Sequence, residues 1–442
     1  MRAFKIAIGL VSFSLLLILC SQWIPQTLPQ YFSDLTGTTQ SQSHNPQSSQ
    51  DMMDDSSNDD ETEKSTEKYV TYLPHSGFHN QRIALINAMV IAKSLNRTLI
   101  MPELNMGHAN YWLPGKALAL QFDDCSRKIF KGPHRVSLNG CYAFRSYNPW
   151  SVSSILDLSA VNDQGIRYVE RNDMSLDFFE KNFGLTKDDT YYVQDPTRFS
   201  YRIYDNSSMD LGSFDFPLQL SVLRQRTEPL ISFGSLFGSF RLAIEPNSEL
   251  WWLREYLTAE LGISHSVIMQ DSLSIASHLG GPGNYISIHI RQGDGSFRKA
   301  LKSTIVHVQA HLEKIKGRAD PDAVEAMRQL SVPDRLKACV VVNHTVTDPH
   351  LRVIFMATDA HNSRESMADF HYAFPCMFTL NDFSNVISNL IETDHSIFLP
   401  LVDAEVASHS SRFVGTPKST FSKYIKYRQR RWLKYYPKAP KS

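Results

Sequence analysis

Two hydrophobic periods alternate along most of this 442-residue chain. Tyr69-Val-Thr-Tyr-Leu73 reads as a short strand. Over 81–95, Ile83, Leu85, Ile86, Met89, Val90 and Ala92 recur at helical spacing. Thr98-Leu-Ile-Met101 is the next strand, stopped by Pro102. This βαβ unit predicts a parallel, right-handed crossover. Residues 105–261 are aromatic-rich and irregular. Helices are expected there at 157–160, 173–183 and 249–261, and the rest gives no readable element. A second α/β series opens near Ser264. Strands are expected at 285–290, 340–342 and 353–357, with a strand end at 412–415. Helices are expected at 305–315, 362–370, 385–391, 398–407 and 422–432. Two facing α/β halves leave a crevice at their strand C-termini, where open parallel sheets bind ligands.

The N-terminus follows a different pattern. Arg2 and Lys5 precede an apolar run from Ile6 to Ile24, about long enough to span a bilayer's hydrocarbon. The flanking charges favour a cytosolic N-terminus. No small-x-small site closes the run, so an uncleaved signal anchor is expected rather than a cleaved signal peptide. Residues 25–67, rich in Ser, Gln, Thr, Asp and Asn, are too polar to bury surface that offsets chain entropy. The expected organisation is an anchor over 1–24, a disordered stem over 25–67, one Rossmann-like domain over 68–263, a second over 264–432, and a basic tail over 433–442.

Charge adds little to this picture. Lys plus Arg and Asp plus Glu each number 45, so net charge gives no reason to expect nucleic-acid binding. The charges are nevertheless segregated. Residues 51–67 carry eight carboxylates against Lys64, and 423–441 carry eight basic residues and no acid. Both read first as solvated tails. Beyond Cys20 in the anchor, Cys125, Cys141, Cys339 and Cys376 make an even set, suited to two disulfides in an oxidising lumen. Pairing 125–141 and 339–376 would keep each bridge within one domain, but spacing alone allows three connectivities. Sequons begin at Asn96, Asn206 and Asn343.

Four polar clusters sit at strand ends. Gly77 to Arg82 lies where a strand feeds a helix, so backbone N–H groups there suit an anion, with Asn80 and Gln81 adding directed hydrogen bonds. The plain alternative is a turn capped by Asn80. In His289-Ile-Arg291-Gln-Gly-Asp294, alternation puts Ser287, His289 and Arg291 on one face. An arginine there can pair with a diphosphate and neutralise a leaving nucleotide. A brace between Arg291 and Asp294 is the alternative. Ala357-Thr-Asp359 follows an apolar strand, where an acid suits a ribose hydroxyl or a helix cap. In Phe413 to Ser422, Ser419 and Thr420 sit at a helix start and suit phosphate, and Phe421 can pack on a base or in the core. The only DxD, Asp320-Pro-Asp322, is explained by a helix cap with proline in the first turn, so no metal is expected.

Taken in order, these clusters resemble the protein O-fucosyltransferase family. Ser76-Gly-Phe-His-Asn-Gln-Arg82 is similar to its glycine-and-asparagine loop, and Ala92 to Pro102 to its helix and second strand. His289-Ile-Arg291 resembles its His-x-Arg motif, Ala357-Thr-Asp359 its Ala-Thr-Asp strand end, and Phe413 to Ser422 its C-terminal signature. The resemblance implies a GT-B fold: two Rossmann-like domains facing a central cleft. It implies an inverting transfer of fucose from GDP-fucose, usually without a metal or other cofactor, to a protein or glycan hydroxyl. It assigns Asn80 and Arg291 to catalysis. Gly77, Phe78, His289, Asp359, Ser419, Thr420 and Phe421 would hold the donor, together with Arg291. Some members carry a Glu three residues before the loop Asn. Gly77 stands there in this chain, leaving His79 or the donor phosphate to take the acceptor proton. The expected setting is the lumen of the Golgi or endoplasmic reticulum, with the chain held as a type II membrane protein.

Overall fold

The computed structural model describes residues 67–109, 111–129, 147–238, 240–293, 295–315, 317, 320–343 and 348–435. The anchor, nearly all of the stem, Cys141, Asp294 and the end of the basic tail lie outside them. No described helix is long and apolar enough to cross a membrane.

Strand β1 (Tyr69–Thr71) leads into helix α1 (Phe78–Leu95) and strand β2 (Thr98–Met101), and β1 and β2 pair in parallel as the βαβ reading expects. The helix starts three residues earlier than apolar spacing indicates. Extended Gly77 is its N-cap, and the first turn, Phe78-His79-Asn80, carries no aliphatic residue to register the period. Asn96 ends it in the left-handed conformation, φ 50°, its N–H closing on the carbonyls of Ala92 and Lys93. Nearly every side chain of α1 from Ala84 to Ala92 is buried, so it lies between packed layers.

The irregular middle supplies β3 (Tyr168–Glu170), β4 (Thr190–Tyr192) and β5 (Leu230–Ser232). They complete a five-stranded parallel sheet in the order β3-β2-β1-β5-β4. Three residues are too few for alternation to register, so no strand is readable here from spacing. A separate parallel sheet joins Leu242–Ala243, Tyr201–Tyr204 and Phe216–Gln219. Helix α2 (Glu249–Glu260), capped by the Ser248 hydroxyl, and helix α3 (Ser266–His278) follow.

The second sheet is also all parallel. It contains β6 (Ile286–Ile290), β7 (Ile354–Thr358), β8 (Met377–Phe378) and β9 (Arg412–Val414), in the order β8-β7-β6-β9. Alternation along β6 serves two faces. Ile286, Ile288 and Ile290 pack with Ile354 and Met356 of β7 and with Val308 and Leu312 of helix α4 (Gly295–Glu313). Ser287 and His289 turn the other way, toward helices α5 (Leu399–Ser408) and α6 (Thr420–Tyr435). Both faces are buried, as expected for a central parallel strand.

Some sequence expectations are corrected. Residues 340–342 are not a strand but the last turn of a helix, Val332–Val342, started by Ser331 accepting from Asp334 N and by Pro333. Three consecutive valines mimic a strand, but the cap and proline upstream decide the outcome. Helix α4 begins ten residues before its expected start. The expected helix at 173–183 is cut to Phe178–Phe183, because the Asp173 carboxylate is turned onto the Ser175 N–H and hydroxyl. Cys339–Cys376 is a disulfide. Cys125–Cys141 cannot be followed, since Cys141 lies outside the described residues. Asn343 is buried, donating to Asn284 O and accepting from Val353 N, so its side chain has no room for a glycan in this fold.

Candidate active site

Helix α6 brings the separated motifs together. The Thr420 hydroxyl donates to Asn80 Oδ1 at 2.7 Å, spanning 340 residues of sequence. The Phe421 ring lies 5.1 Å from the His79 imidazole and 4.6 Å from that of His289. The Ser422 hydroxyl hydrogen-bonds His289 Nδ1 at 2.7 Å. One turn of helix thus touches both the start of α1 and the end of β6. Ser419, also buried, accepts from Ser422 N at 3.4 Å and closes that turn.

The remaining motif is tied in from the other side of β6. Asp359, just past β7, accepts from the backbone N–H groups of Gln292 at 2.6 Å and Gly293 at 3.0 Å. Its carboxylate therefore shapes the loop that carries Arg291. Thr416 works beside it: its hydroxyl donates to His289 O at 2.8 Å and accepts from Arg291 N at 3.0 Å. The Arg291 guanidinium rests over the Phe297 ring, 4.7 Å from its centre. Arg291 is half-buried, so its position is set by neighbours on three elements while part of it stays accessible. Asp294, the brace considered from sequence, lies outside the described residues.

The first motif is organised differently. Gly77 contributes no side chain to the helix start, and a Cβ built on it meets nothing within 4 Å. Gln81 does not face a ligand. It is buried and clamps the loop, donating to Ser76 O and Asn105 O and accepting from Asn105 N. Asn80 and Phe78 stay half-buried. His79 is enclosed, with Phe78, Phe421 and Tyr424 around its ring and no hydrogen-bond partner at either nitrogen among the described residues. Burial, then Arg82 and His289, hold its pKa at about 3. It is neutral at pH 7 but a weak base. His289 is held at about 3 by burial and then by Arg291, so it serves as a neutral hydrogen-bonding spacer.

Sequence reasoning missed what lies beneath this junction. The Tyr424 hydroxyl donates to buried Glu405 and accepts from Ile263 N at 3.2 Å. Arg428 Nη2 pairs with the same carboxylate at 3.3 Å. Arg82 spends its Nε and Nη2 on Leu261 O and Thr258 O. An available signal was Glu405 itself, an acid within the apolar run over 399–407. Thr416 and Ser422 lay inside a motif already singled out, but their partners are set by folding. Asp320 accepts from Ala323 N as the cap of helix Pro321–Arg328. No cluster of three or more metal-ligating side chains occurs among the described residues.

No curated protein matches the chain in sequence. Solved structures similar to it include POFUT1 in complex with GDP, at 15% identity and TM-score 0.40 over 83% of this chain and 95% of that one. POFUT1 in complex with GDP-fucose gives 14% and 0.39 over 82% and 94%. The fucosyltransferase NodZ from Bradyrhizobium gives 12% and 0.37 over 82% and 93%. The sequence profile of GDP-fucose protein O-fucosyltransferases matches residues 69–136 and 208–432. That is well over half of the chain, and it contains all the motif residues joined at this junction. The chain therefore belongs to the GDP-fucose protein O-fucosyltransferase family of glycosyltransferases.

Proposed function

We propose that the protein transfers fucose from GDP-fucose to a hydroxyl of a protein or glycan acceptor, with inversion and without a metal. In this reading it has a GT-B arrangement, with Rossmann-like halves meeting near residue 263 and the donor held between them. The observation that carries it is the junction in which Asn80, Thr420, Phe421 and His289 touch across two parallel sheets, beside the loop of Arg291.

The chemistry follows from what each group can do there. The uncapped start of α1 offers N–H groups and a partial positive charge to the diphosphate. Ser419 adds a hydroxyl, and Thr420 adds one by turning its proton from Asn80 Oδ1 to the phosphate. As the fucose C1–O bond breaks, negative charge grows on the β-phosphate, and Arg291 neutralises it. The acceptor oxygen attacks C1 from the opposite face, and its proton passes through a bridging water to a donor phosphate oxygen. His79 is too weak a base to be favoured for that step. Asp359 acts through the Arg291 loop, and further contact with guanosine would use its remaining lone pairs. Phe421 is packed between imidazoles and offers only its free edge to a base.

One observation favours a second reading, a GDP-fucose-binding protein that has lost turnover: there is no carboxylate at Gly77, and His79 is a poor substitute. We also propose a single-pass type II location in the Golgi or endoplasmic reticulum membrane, supported by the Ile6 to Ile24 run and the charges before it. The functional reading is tested by calorimetric titration with GDP-fucose and with UDP-sugars. Saturable binding of GDP-fucose alone supports it. Binding of a UDP-sugar, or of neither, overturns it.

A further inference from the structure

Behind the junction lies a cavity of about 130 Å³ between α1, α2 and α6. Its walls include His79 and Thr420, and three cations line it: Arg82, Arg254 and Lys423. One acid, Glu255, faces them, and its carboxylate accepts from the Tyr427 hydroxyl at 3.2 Å. Asp205 is a further acid that acts on Arg254. With His79 neutral, positive charge on the walls exceeds negative. These cations are only partly used. Arg82 commits two of its nitrogens to carbonyls, and Arg254 commits Nη1 to Leu242 O. The Lys423 ammonium makes no hydrogen bond or ion pair among the described residues; burial works against its charge, Glu255 supports it, and Arg254 and Arg82 oppose it.

A second observation extends the first. Lys423 lies at the start of an exposed basic stripe on α6, continued by Lys426, Arg430 and Lys434 at spacings of three, four and four. The other basic residues of this helix turn inward onto acids, Arg428 onto Glu405 and Arg431 onto Glu260. The stripe is therefore the unneutralised face of α6, and it runs from the cavity mouth away from Thr420.

We infer that this cavity and stripe form an acceptor subsite for an acidic peptide, with one Asp or Glu carboxylate entering between Arg254 and Lys423 while the acceptor hydroxyl lies near Asn80. The inference rests on the proposed function and deepens it. A peptide is favoured over a polyanionic glycan because the unneutralised charge lies along one helix face, a line that an extended chain can follow. The small cavity also admits a single acidic side chain and not a sulfated sugar ring. Coulomb attraction at half-buried Arg254 is screened less than at a free surface, so one carboxylate between it and Lys423 can select between peptides.

The test uses the full-length chain saturated with GDP. Two fluorescent twelve-residue peptides, each with a central serine, carry either glutamate or glutamine at the other positions. Binding is followed by anisotropy, and GDP binding by calorimetry. The glutamate peptide is expected to bind at least tenfold more tightly. Arg254→Gln with Lys423→Gln should remove that preference while GDP affinity stays within twofold. Each single variant, with a check of its melting temperature, guards against misfolding of the pair. Equal binding of the two peptides overturns the inference, as does a preference that survives both substitutions. Weakened GDP binding in a folded variant would assign the cavity to the donor instead. A sulfated oligosaccharide that outcompetes the glutamate peptide would replace the peptide with a glycan. Failure of the wild-type chain to bind GDP at all would strike the proposed function rather than the subsite.

Discussion

The two sheets meet the candidate site with opposite economies of space. On the β6 side everything is crowded. A Cβ added to Gly415 would lie 2.6 Å from Ser422 Oγ, and one on Gly293 would lie 2.6 Å from Asp359 Oδ2. His289, Thr416, Ser422 and Asp359 all have fixed partners. On the α1 side there is room. Gly77 faces open space, and the first turn of the helix has no side-chain cap. A rigid surface suits an invariant diphosphate, since preorganised donors need no rearrangement as charge develops. An open surface suits the varied partner, the acceptor. Under the proposed function, the contrast puts the rigid part of donor recognition on β6, β7 and the start of α6, and leaves the open side at the start of α1 with room for the acceptor hydroxyl as well as the diphosphate.

Arg291→Ala tests the crowded side most severely. Loss of leaving-group stabilisation is expected to lower turnover by roughly 10²–10³, or about 3–4 kcal/mol, with the melting temperature little changed. Fucose transfer and thermal melting of the same variant check it, and unchanged turnover would remove the role given to this residue. Gly415→Ala should next separate the two sides. Overpacking against Ser422 and Phe413 is expected to destabilise the fold by about 1–3 kcal/mol, whereas Gly77→Ala should leave denaturant midpoints unchanged. Equal effects at the two glycines would erase the comparison.

Acid sharpens it differently. His289 and His79 stay neutral in the fold down to about 3, while unfolded histidine protonates near 6.5. The unfolded chain therefore binds more protons between those values. Stability is at its plateau above about pH 6.5 and declines as pH falls toward 3. His289→Gln should flatten that decline in a series of melts. The smallest expected effects concern Gly77→Glu and metal. The added carboxylate should be accommodated without loss of stability, and a rise in turnover would identify a missing base as the limit on activity. A chelator should leave transfer unaltered. Loss restored by manganese would redirect attention to Asp320 and Asp322.

What the residues determined alone is the local grammar. Helical spacing over 81–95 and apolar runs at 285–290 and 353–357 depend on side chains near one another in sequence, so α1, β6 and β7 were legible. The caps at Ser331 and Asp320 are equally local. The ordered motifs also pointed to the residues that gather at the junction. Tertiary structure decided the rest, because those properties belong to pairs far apart in the chain. Three-residue strands such as β3 and β4 exist only because a neighbour completes their hydrogen bonds. Asp359 became the support of the Arg291 loop rather than a free acid. His79 lost its basicity when Phe421 and Tyr424 closed over it. Burial sets desolvation, and desolvation sets what a titratable group can do. Only the folded chain fixes which groups are buried and against which partners.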